Sequence, residues 1–532
     1  MLLHDFIVAR AQDMPGNLAV ASASGNDSMT YAELSDAVRR AAGGFTSLGI
    51  RPGDRIGIYL NKRIQGVLGY FGASYAGAVF VPINPSLRPA QVAHILKDCD
   101  VRLLITTASQ ASLLGEELAD SEQLQALVTL DSLEPNAGIP EHLMTSTWDA
   151  MLASEDGLEA PVRRIETDIA AILYTSGSTG KPKGVVLTQR NMVAGALSVA
   201  SYVKNTAEDT ILAVLPFSFD AGFSQLSQSF SAGSTVVLLD YLLPRDVLRT
   251  AARHRVTGLA GVPPLWNQLV QLDWPGEVAE HMRFITNTGG AMPTATLAKL
   301  RDRLPNTRVI LQYGLTEAFR ATYLPPQELD RRPTSMGKAI PNAEVMVVRE
   351  DGTPCDPGEP GELVQRGALV SLGYWNDPDR TAQRFKPTPG QEAGLPFKEL
   401  AVWSGDTVVK DEDGFLYFVG RKDDMIKSSG YRISPTEVEE VIYGSGLVKE
   451  CAALGIPHPT LGQAVVIACH AEEPSDELRT GLIDACKKAL PNYMVPAEIV
   501  FRDALPRNPN GKIDRKALTS ELQDLYREPA SA

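Results

Sequence analysis

Eleven residues constrain this chain more than any others: Tyr174-Thr175-Ser176-Gly177-Ser178-Thr179-Gly180-Lys181-Pro182-Lys183-Gly184. They follow a short apolar run, Ala170-Ala171-Ile172-Leu173, that reads as a buried strand. Three glycines free the backbone to bend around an anion, while hydroxyls, backbone N–H groups and two lysines can all face phosphate oxygens. A strand that delivers such a loop suits the pyrophosphate end of a nucleotide. It is not a Walker loop, which needs four residues between its glycines and a Ser or Thr after the Lys. Only Ser178 and Thr179 separate Gly177 from Gly180, and Pro182 follows Lys181, which also argues against a helix beginning there. Ser178-Thr179-Gly180-Lys181 also fits the S-x-x-K nucleophile pattern, but the K-T-G and S-D-N partners of that chemistry are not in the sequence.

The 532 residues exceed what one hydrophobic core serves, so at least two domains are expected. A net charge of −14 makes a nucleic-acid backbone an unfavourable partner. No apolar run is long enough for a membrane span, and the N-terminus acquires Asp5 and Arg10 too early for a signal peptide. The five scattered cysteines form no C-x-x-C pair, which fits a reducing, cytoplasmic setting without a zinc site.

Apolar β-rich runs such as Arg55–Leu60, Val101–Ile105 and Thr235–Leu239 alternate with helical patterns, which predicts an α/β fold. Thr30-Tyr31-Ala32-Glu33 and Ser434-Pro435-Thr436-Glu437 both have capping-box spacing, the second with Pro at the first helical position. A domain boundary is placed at Gly420-Arg421-Lys422-Asp423-Asp424, after the strand-like Phe415–Val419. This gives domains 1–420 and 421–532, the second long enough for a small core of its own.

The glycine- and hydroxyl-rich loop resembles the signature of the acyl-adenylate-forming superfamily of acyl-CoA synthetases, luciferases and peptide-synthetase adenylation domains. Other segments resemble family motifs in the family's order. They include Met29–Leu34, Val81–Pro85, Asn287-Thr288-Gly289-Gly290-Ala291, Gln312-Tyr313-Gly314-Leu315-Thr316-Glu317, Ser404-Gly405-Asp406, Ser429-Gly430-Tyr431-Arg432 and Leu505–Asp514. The resemblance implies a large N-terminal adenylate-forming domain of layered sheets and helices, plus a small mobile α+β C-terminal domain. It also implies ATP, Mg²⁺ and a pantetheine acceptor, either CoA or carrier-bound phosphopantetheine.

By the same resemblance, Thr175, Ser176, Gly177, Ser178, Thr179, Gly180 and Lys181 hold phosphates. Gly289, Gly290, Ala291, Gln312, Tyr313 and Gly314 form the adenine side, with Tyr313 stacked on the base. Thr316 contacts phosphate, and Glu317 holds Mg²⁺, a cation that favours oxygen ligands shared with phosphates. Asp406 accepts the ribose hydroxyls, and Arg421 also reaches the ribose. Asp423 is the hinge, while Gly430 and Arg432 serve the thioester step. Lys512 is the adenylation lysine, a cation bridging two mutually repelling anions, carboxylate and α-phosphate.

The substrate clue is Leu215-Pro216-Phe217-Ser218-Phe219-Asp220-Ala221-Gly222. In peptide-synthetase domains an aspartate after the second Phe pairs with the substrate's α-amine, and Phe219-Asp220 occupies that position. A buried ammonium needs an anionic partner, so an amino acid is favoured. The alternative is that Asp220 caps a helix. Gly222 and Leu315 depart from the peptide-synthetase pattern. The runs QYGLTEAFRATYLPP (Gln312–Pro326) and AVWSGDTV (Ala401–Val408) are similar to stand-alone ligases of exosortase systems and to free-standing L-prolyl-AMP ligases. Both kinds act on a separate protein, and little chain follows Lys512, so a carrier protein in trans is expected. The rivals are an acyl-CoA ligase using a non-amino acid and free CoA, and a non-catalytic adenylate-binding protein.

Overall fold

The computed structural model describes residues 1–134, 137–153, 156–175, 182–392, 394–421, 425–428, 431–459, 461–490, 492–508 and 511–527. One sheet is ordered Met144–Thr147, Ala126–Thr129, Val101–Thr106, Arg55–Ile58, Val79–Pro82, Ile169–Thr175, Lys183–Thr188. It is parallel as far as Ile169–Thr175, which pairs antiparallel with Lys183–Thr188. Parallel neighbours need crossovers, and the helices Ile64–Tyr75 and Pro89–Asp98 supply them. Helices on its faces bury both sides, so Val79–Pro82 is apolar without alternation. The expected buried strand before the phosphate loop is therefore present. Pro182 leads into a second strand and not a helix.

A second sheet runs Lys338–Ala339, Thr322–Tyr323, Arg308–Tyr313, Phe284–Asn287, Gly258–Gly261, Thr210–Ala213, Thr235–Leu238, Leu18–Ser22, Ser28–Thr30. The C-terminal ends of Phe284–Asn287 and Arg308–Tyr313 open side by side, where parallel sheets usually bind ligands. The helices Gln189–Val203 and Asp220–Ala232 pack on one another. Phe223, Leu226 and Phe230 of the second helix enter the same core as Phe71 of the helix Ile64–Tyr75 and Phe80 of the first sheet.

Leu400–Lys410 pairs with Leu416–Arg421 in a third, antiparallel sheet. The next strand, Ile426–Ser428, belongs to a different sheet with Tyr431–Ile433, Glu450–His458, Gly462–His470 and Glu498–Phe501. The chain thus passes from one sheet to another between Arg421 and Ile426. Lys422, Asp423 and Asp424 lie outside the described residues. Helices Pro435–Gly444 and Asp476–Ala489 cover the last sheet around Val438, Ile442, Leu482 and Ile499. Among the described residues no helix is long and apolar enough to cross a membrane. All five cysteines are buried and free of disulfides.

The two helix starts behave differently. The Thr30 hydroxyl accepts from Glu33 N at 3.3 Å, and the Glu33 carboxylate accepts from Thr30 N at 2.8 Å, closing the expected capping box. Ser434 does not cap: its hydroxyl pairs with the Thr436 hydroxyl at 2.7 Å, and the helix begins on Pro435 alone. A nearer hydroxyl competes for the same oxygen, which spacing cannot reveal.

Gly222 fixes the approach of the Asp220–Ala232 helix to the chain before it. A Cβ there would stand 1.6 Å from the Pro216 carbonyl oxygen, so backbone must move. Gly222→Ala is expected to destabilise the protein by at least ~1–3 kcal/mol, the usual range for overpacking. Denaturant unfolding checks this; an unchanged midpoint would show that the Pro216 segment yields freely.

Candidate active site

A cleft of about 2010 Å³ lies between the large and small domains. Drug-sized ligands usually fill ~300–1,000 Å³, so a nucleotide, an acid and a thiol arm fit together here. Its walls include Asn287, Gly289, Gly290, Gln312, Tyr313 and Gly314 from one domain and Lys512 from the other.

On the first wall, Asn287 Nδ2 donates to the Gly290 carbonyl at 2.9 Å and fixes the turn after its strand. Gly289 sits at φ +78°, which a side chain tolerates poorly, and its missing Cβ leaves space that Lys512 uses. Asn287 Oδ1 and Gln312 Nε2 are buried and have no hydrogen-bond partner among the described residues. An acceptor and a donor beside a flat glycine turn are what an amidine-bearing base needs. The expected adenine residues are therefore gathered on one wall.

Asp406 lies on the strand Leu400–Lys410 inside the third sheet, 3% exposed, paired in register with Arg421. Arg421 Nε reaches Asp406 Oδ1 at 3.1 Å, and the Tyr313 hydroxyl donates to Asp406 Oδ2. Burial and then the Asp406 charge push the Tyr313 phenol far above its ordinary range, so it stays protonated as a donor. Tyr313, Asp406 and Arg421 thus form one connected group.

On the phosphate side, Thr175 ends its strand with a buried, unpartnered hydroxyl oxygen among the described residues. Ser176, Gly177, Ser178, Thr179, Gly180 and Lys181 lie outside the described residues. Lys183, on the following strand, was not singled out by the sequence reading. Its Nζ donates to Glu317 Oε1 at 3.1 Å and to the Tyr374 hydroxyl at 2.8 Å, and it lies 4.1 Å from the Tyr374 ring centroid. Tyr374 in turn donates to Glu317 Oε1 at 2.5 Å. Burial alone would raise the Glu317 carboxyl, but Lys183, Arg384 and the Tyr374 hydroxyl outweigh it and hold the group at about 2. Burial lowers the Lys183 ammonium, with Glu317 opposing. Both hydrogen bonds fall on Oε1, so Oε2 is the oxygen able to ligate a divalent cation. Among the described residues no cluster of three His, Cys, Asp or Glu forms a ready metal cage.

Thr316 was expected on phosphate, yet its hydroxyl donates to Asp220 Oδ1 at 3.1 Å. Asp220 is the first residue of its helix and 7% exposed, and its side chain caps nothing. Its Oδ2 accepts from Arg320 Nη1 at 2.7 Å, a partner the sequence reading missed. Phe219 precedes it, buried in the second core.

Lys512 comes from a turn in which Lys512 N donates to Asn508 Oδ1 at 3.1 Å. Its Cε stands 3.2 Å from where a Gly289 Cβ would be. The small domain therefore presents Lys512 directly to the large domain's Gly289-Gly290 turn. A second contact supports this pose: Thr294 N donates to Glu440 Oε1 at 3.0 Å across the domains. Lys512 keeps access to solvent through the cleft. Enclosure by both domains, and next the Arg421 charge, lower its ammonium below the usual lysine value, while Asp220 and Asp406 oppose the shift. Asp220 is thus within electrostatic reach of Lys512.

Asp423 and Gly430 lie outside the described residues. Arg432 sits on the short strand Tyr431–Ile433, paired with Lys427. The hinge and thioester expectations are carried no further by this geometry. Tyr374 and Arg384 escaped the sequence reading because only tertiary packing brings them to Glu317; the aromatic pair Tyr374-Trp375 was the available signal.

The family model described as AMP-binding enzyme matches residues 7–375, and that described as AMP-binding enzyme C-terminal domain matches residues 437–512. A long-chain-fatty-acid–CoA ligase of Escherichia coli O157:H7 is 30% identical over 97% of this chain and 93% of its own. A linear gramicidin synthase of Brevibacillus parabrevis is also 30% identical over 97% of this chain, which spans 10% of that much longer protein. The crystal structure of ATP-bound MatB from Rhodopseudomonas palustris superposes with a TM-score of 0.85 at 25% identity, covering 99% of this chain and 100% of that one.

Proposed function

Because this chain belongs to the AMP-binding enzyme family, whose model covers most of the large domain, we propose that its cleft adenylates an amino acid and passes it to a pantetheine thiol on a carrier protein. The chain is an AMP-forming acid–thiol ligase that uses ATP. The acid's carboxylate attacks the α-phosphate, forming acyl-adenylate and releasing pyrophosphate. The thiol sulfur then attacks the acyl carbon, forming the thioester and releasing AMP.

Lys512 bridges carboxylate and α-phosphate in the first step, where their repulsion is greatest. Thr175 and the loop Ser176–Lys181 grip the phosphates, while the Thr316 hydroxyl braces Asp220. A divalent cation shared with those phosphates on Glu317 Oε2 would neutralise their charge. Tyr313 stacks on adenine against Gly289, Gly290, Ala291 and Gly314, with Asn287 and Gln312 at its edge. Asp406 and Arg421 hold the ribose. Asp423 acts as the hinge between domains 1–420 and 421–532, and Gly430 and Arg432 line the thiol's route after rotation.

The single observation that carries the amino-acid reading is Asp220. It is a buried carboxylate on the large-domain side, within electrostatic reach of Lys512. An ammonium one carbon from the reacting carboxylate finds a counter-charge there. The motifs shared with exosortase-associated and prolyl-AMP ligases support a separate acceptor, and the free, buried cysteines support a reducing, cytoplasmic setting. Intact mass measured after incubation with ATP, amino acids and phosphopantetheinylated carrier proteins tests the acceptor. Aminoacyl mass on a carrier but not on free CoA is expected.

The second reading, a non-amino acid joined to free CoA, draws on the Arg320 partner that already neutralises Asp220. Under it, fatty or aryl acids yield CoA thioesters and amino acids yield nothing.

The lowered Lys512 ammonium sets a pH dependence. Its folded value lies below the usual 10.5, so the bridging charge is lost at a lower pH than for a free lysine. The alkaline limb of acid-dependent pyrophosphate exchange is expected below that value, and Lys512→Arg is expected to move it upward. A limb unaffected by Lys512→Arg would assign it to another group.

A further inference from the structure

If an amino acid binds as proposed, three charges meet behind Gly314 of the cleft wall: the Asp220 carboxylate, the substrate ammonium and Arg320. Arg320 is as buried as a core residue, with side-chain exposures of 4% for Arg320 and 11% for Asp220. Its Nη1 also bonds the Phe319 carbonyl at 3.3 Å, and its own carbonyl accepts from Gln365 Nε2 at 2.7 Å. Phe319 lies at φ +57°, a conformation unusual for a bulky residue, and this turns the chain so that Arg320 points inward. Arg320 Cδ stands 3.5 Å from where a Cβ on Gly314 would be, and Gly314 lines the cleft. That glycine stands between the arginine stem and the ligand space.

A guanidinium offers five N–H donors, and Arg320 Nε has no partner among the described residues. Hydroxyls on the Asp220 helix are equally idle. Ser224 and Ser227 follow Asp220 at i+4 and i+7 on one helix face, beside the apolar Phe223, Leu226 and Phe230 stripe. Their Oγ atoms, and that of Ser218 in the cleft wall, are buried without partners among the described residues. Unmet donors at this depth are costly, so a ligand that satisfies them gains on binding.

Charge counting gives the same answer. An ammonium added to the Asp220–Arg320 pair leaves one buried positive charge in excess, which a side-chain carboxylate cancels and a neutral oxygen acceptor offsets by hydrogen bonding alone. A greasy acyl chain would leave the donors unmet and bury the pair further.

Resting on the amino-acid reading, we propose that Arg320 is a specificity residue. The substrate is a small amino acid whose side chain carries an oxygen acceptor: aspartate, asparagine, serine or threonine. Arg320 receives that oxygen while Asp220 holds the amine, and the Ser218 hydroxyl of the cleft wall adds a further polar group.

The test is acid-dependent ATP–pyrophosphate exchange with those four acids against alanine, valine, leucine, proline and a set of fatty and aryl acids. It is run on wild type, Arg320→Met and Arg320→Lys, with thermal unfolding of each protein. The near-isosteric pair threonine and valine, and the pair asparagine and leucine, read the side-chain oxygen alone. Wild type is expected to favour the best oxygen-bearing acid over its apolar counterpart by ~10²-fold or more in kcat/KM, as a site built to hydrogen-bond its substrate does. Arg320→Met is expected to collapse that ratio below ~10-fold while exchange with valine or leucine persists, and Arg320→Lys to fall between. Should Arg320→Met fold poorly, Arg320→Lys keeps the charge and still reports the ratio. Wild-type preference for valine, leucine or proline, with the ratio unmoved in the variants, overturns the Arg320 assignment and leaves Asp220 standing. Exchange driven only by fatty or aryl acids overturns both.

Discussion

Lys512→Ala is expected to lower acid-dependent ATP–pyrophosphate exchange by ~10²–10³-fold, the usual cost of removing one preorganised group that stabilises transition-state charge. Lys512 comes from a surface turn of the small domain, and no core packing depends on it. Unfolding midpoints should therefore match wild type, which separates lost chemistry from lost fold. The second half-reaction, thiol attack on a supplied acyl-adenylate, needs no bridge between two anions. It is expected to survive within ~10-fold, since only an interaction made in the first transition state is removed. A protein that merely binds adenylates would show no exchange before the substitution and nothing to lose after it. Equal loss in both half-reactions would contradict the bridging role.

The second large effect concerns Asp220. Asp220→Ala is expected to abolish amino-acid-dependent exchange, but it also strands Arg320 as a buried unpaired charge. Breaking one side of such a pair costs ~3–5 kcal/mol. Loss of activity in that variant alone would thus be ambiguous. Two companions resolve it. Asp220→Asn keeps the shape and the Thr316 contact. The double variant Asp220→Ala with Arg320→Leu removes both charges and is expected to recover most of the stability, because an apolar replacement of a buried pair is often neutral. Neither is expected to regain exchange with amino acids. Recovery of amino-acid exchange in the stabilised double variant would show that Asp220 serves the fold and not the substrate.

Much of the site was legible because it is written in contiguous segments. The strand Ile169–Thr175, the turn at Gly289-Gly290 and the strand end at Tyr313 sit where the motifs place them, since local backbone demands fix them. The Thr30 capping box was equally local. The partners that set the electrostatics were not legible. Lys183 and Glu317 lie 134 residues apart, Tyr374 and Lys183 lie 191 apart, and Arg320 lies 100 beyond Asp220. Each pairing exists only after both sheets and their helices have packed. Asp220 illustrates the limit. Its residue type suggested an amine partner, but nothing near it announced that a buried arginine already shares the carboxylate. At Ser434 the right residues stand at the right spacing, yet a competing hydroxyl two residues away takes the cap.

The most direct test of the central claim is ATP–pyrophosphate exchange with the wild-type protein against the standard amino acids and a set of short, medium and aryl carboxylic acids. Exchange driven by an amino acid, and lost in Asp220→Asn, is the expected result. Exchange driven by fatty or aryl acids and indifferent to Asp220→Asn would contradict the account and make this cleft that of a simple acyl-CoA ligase.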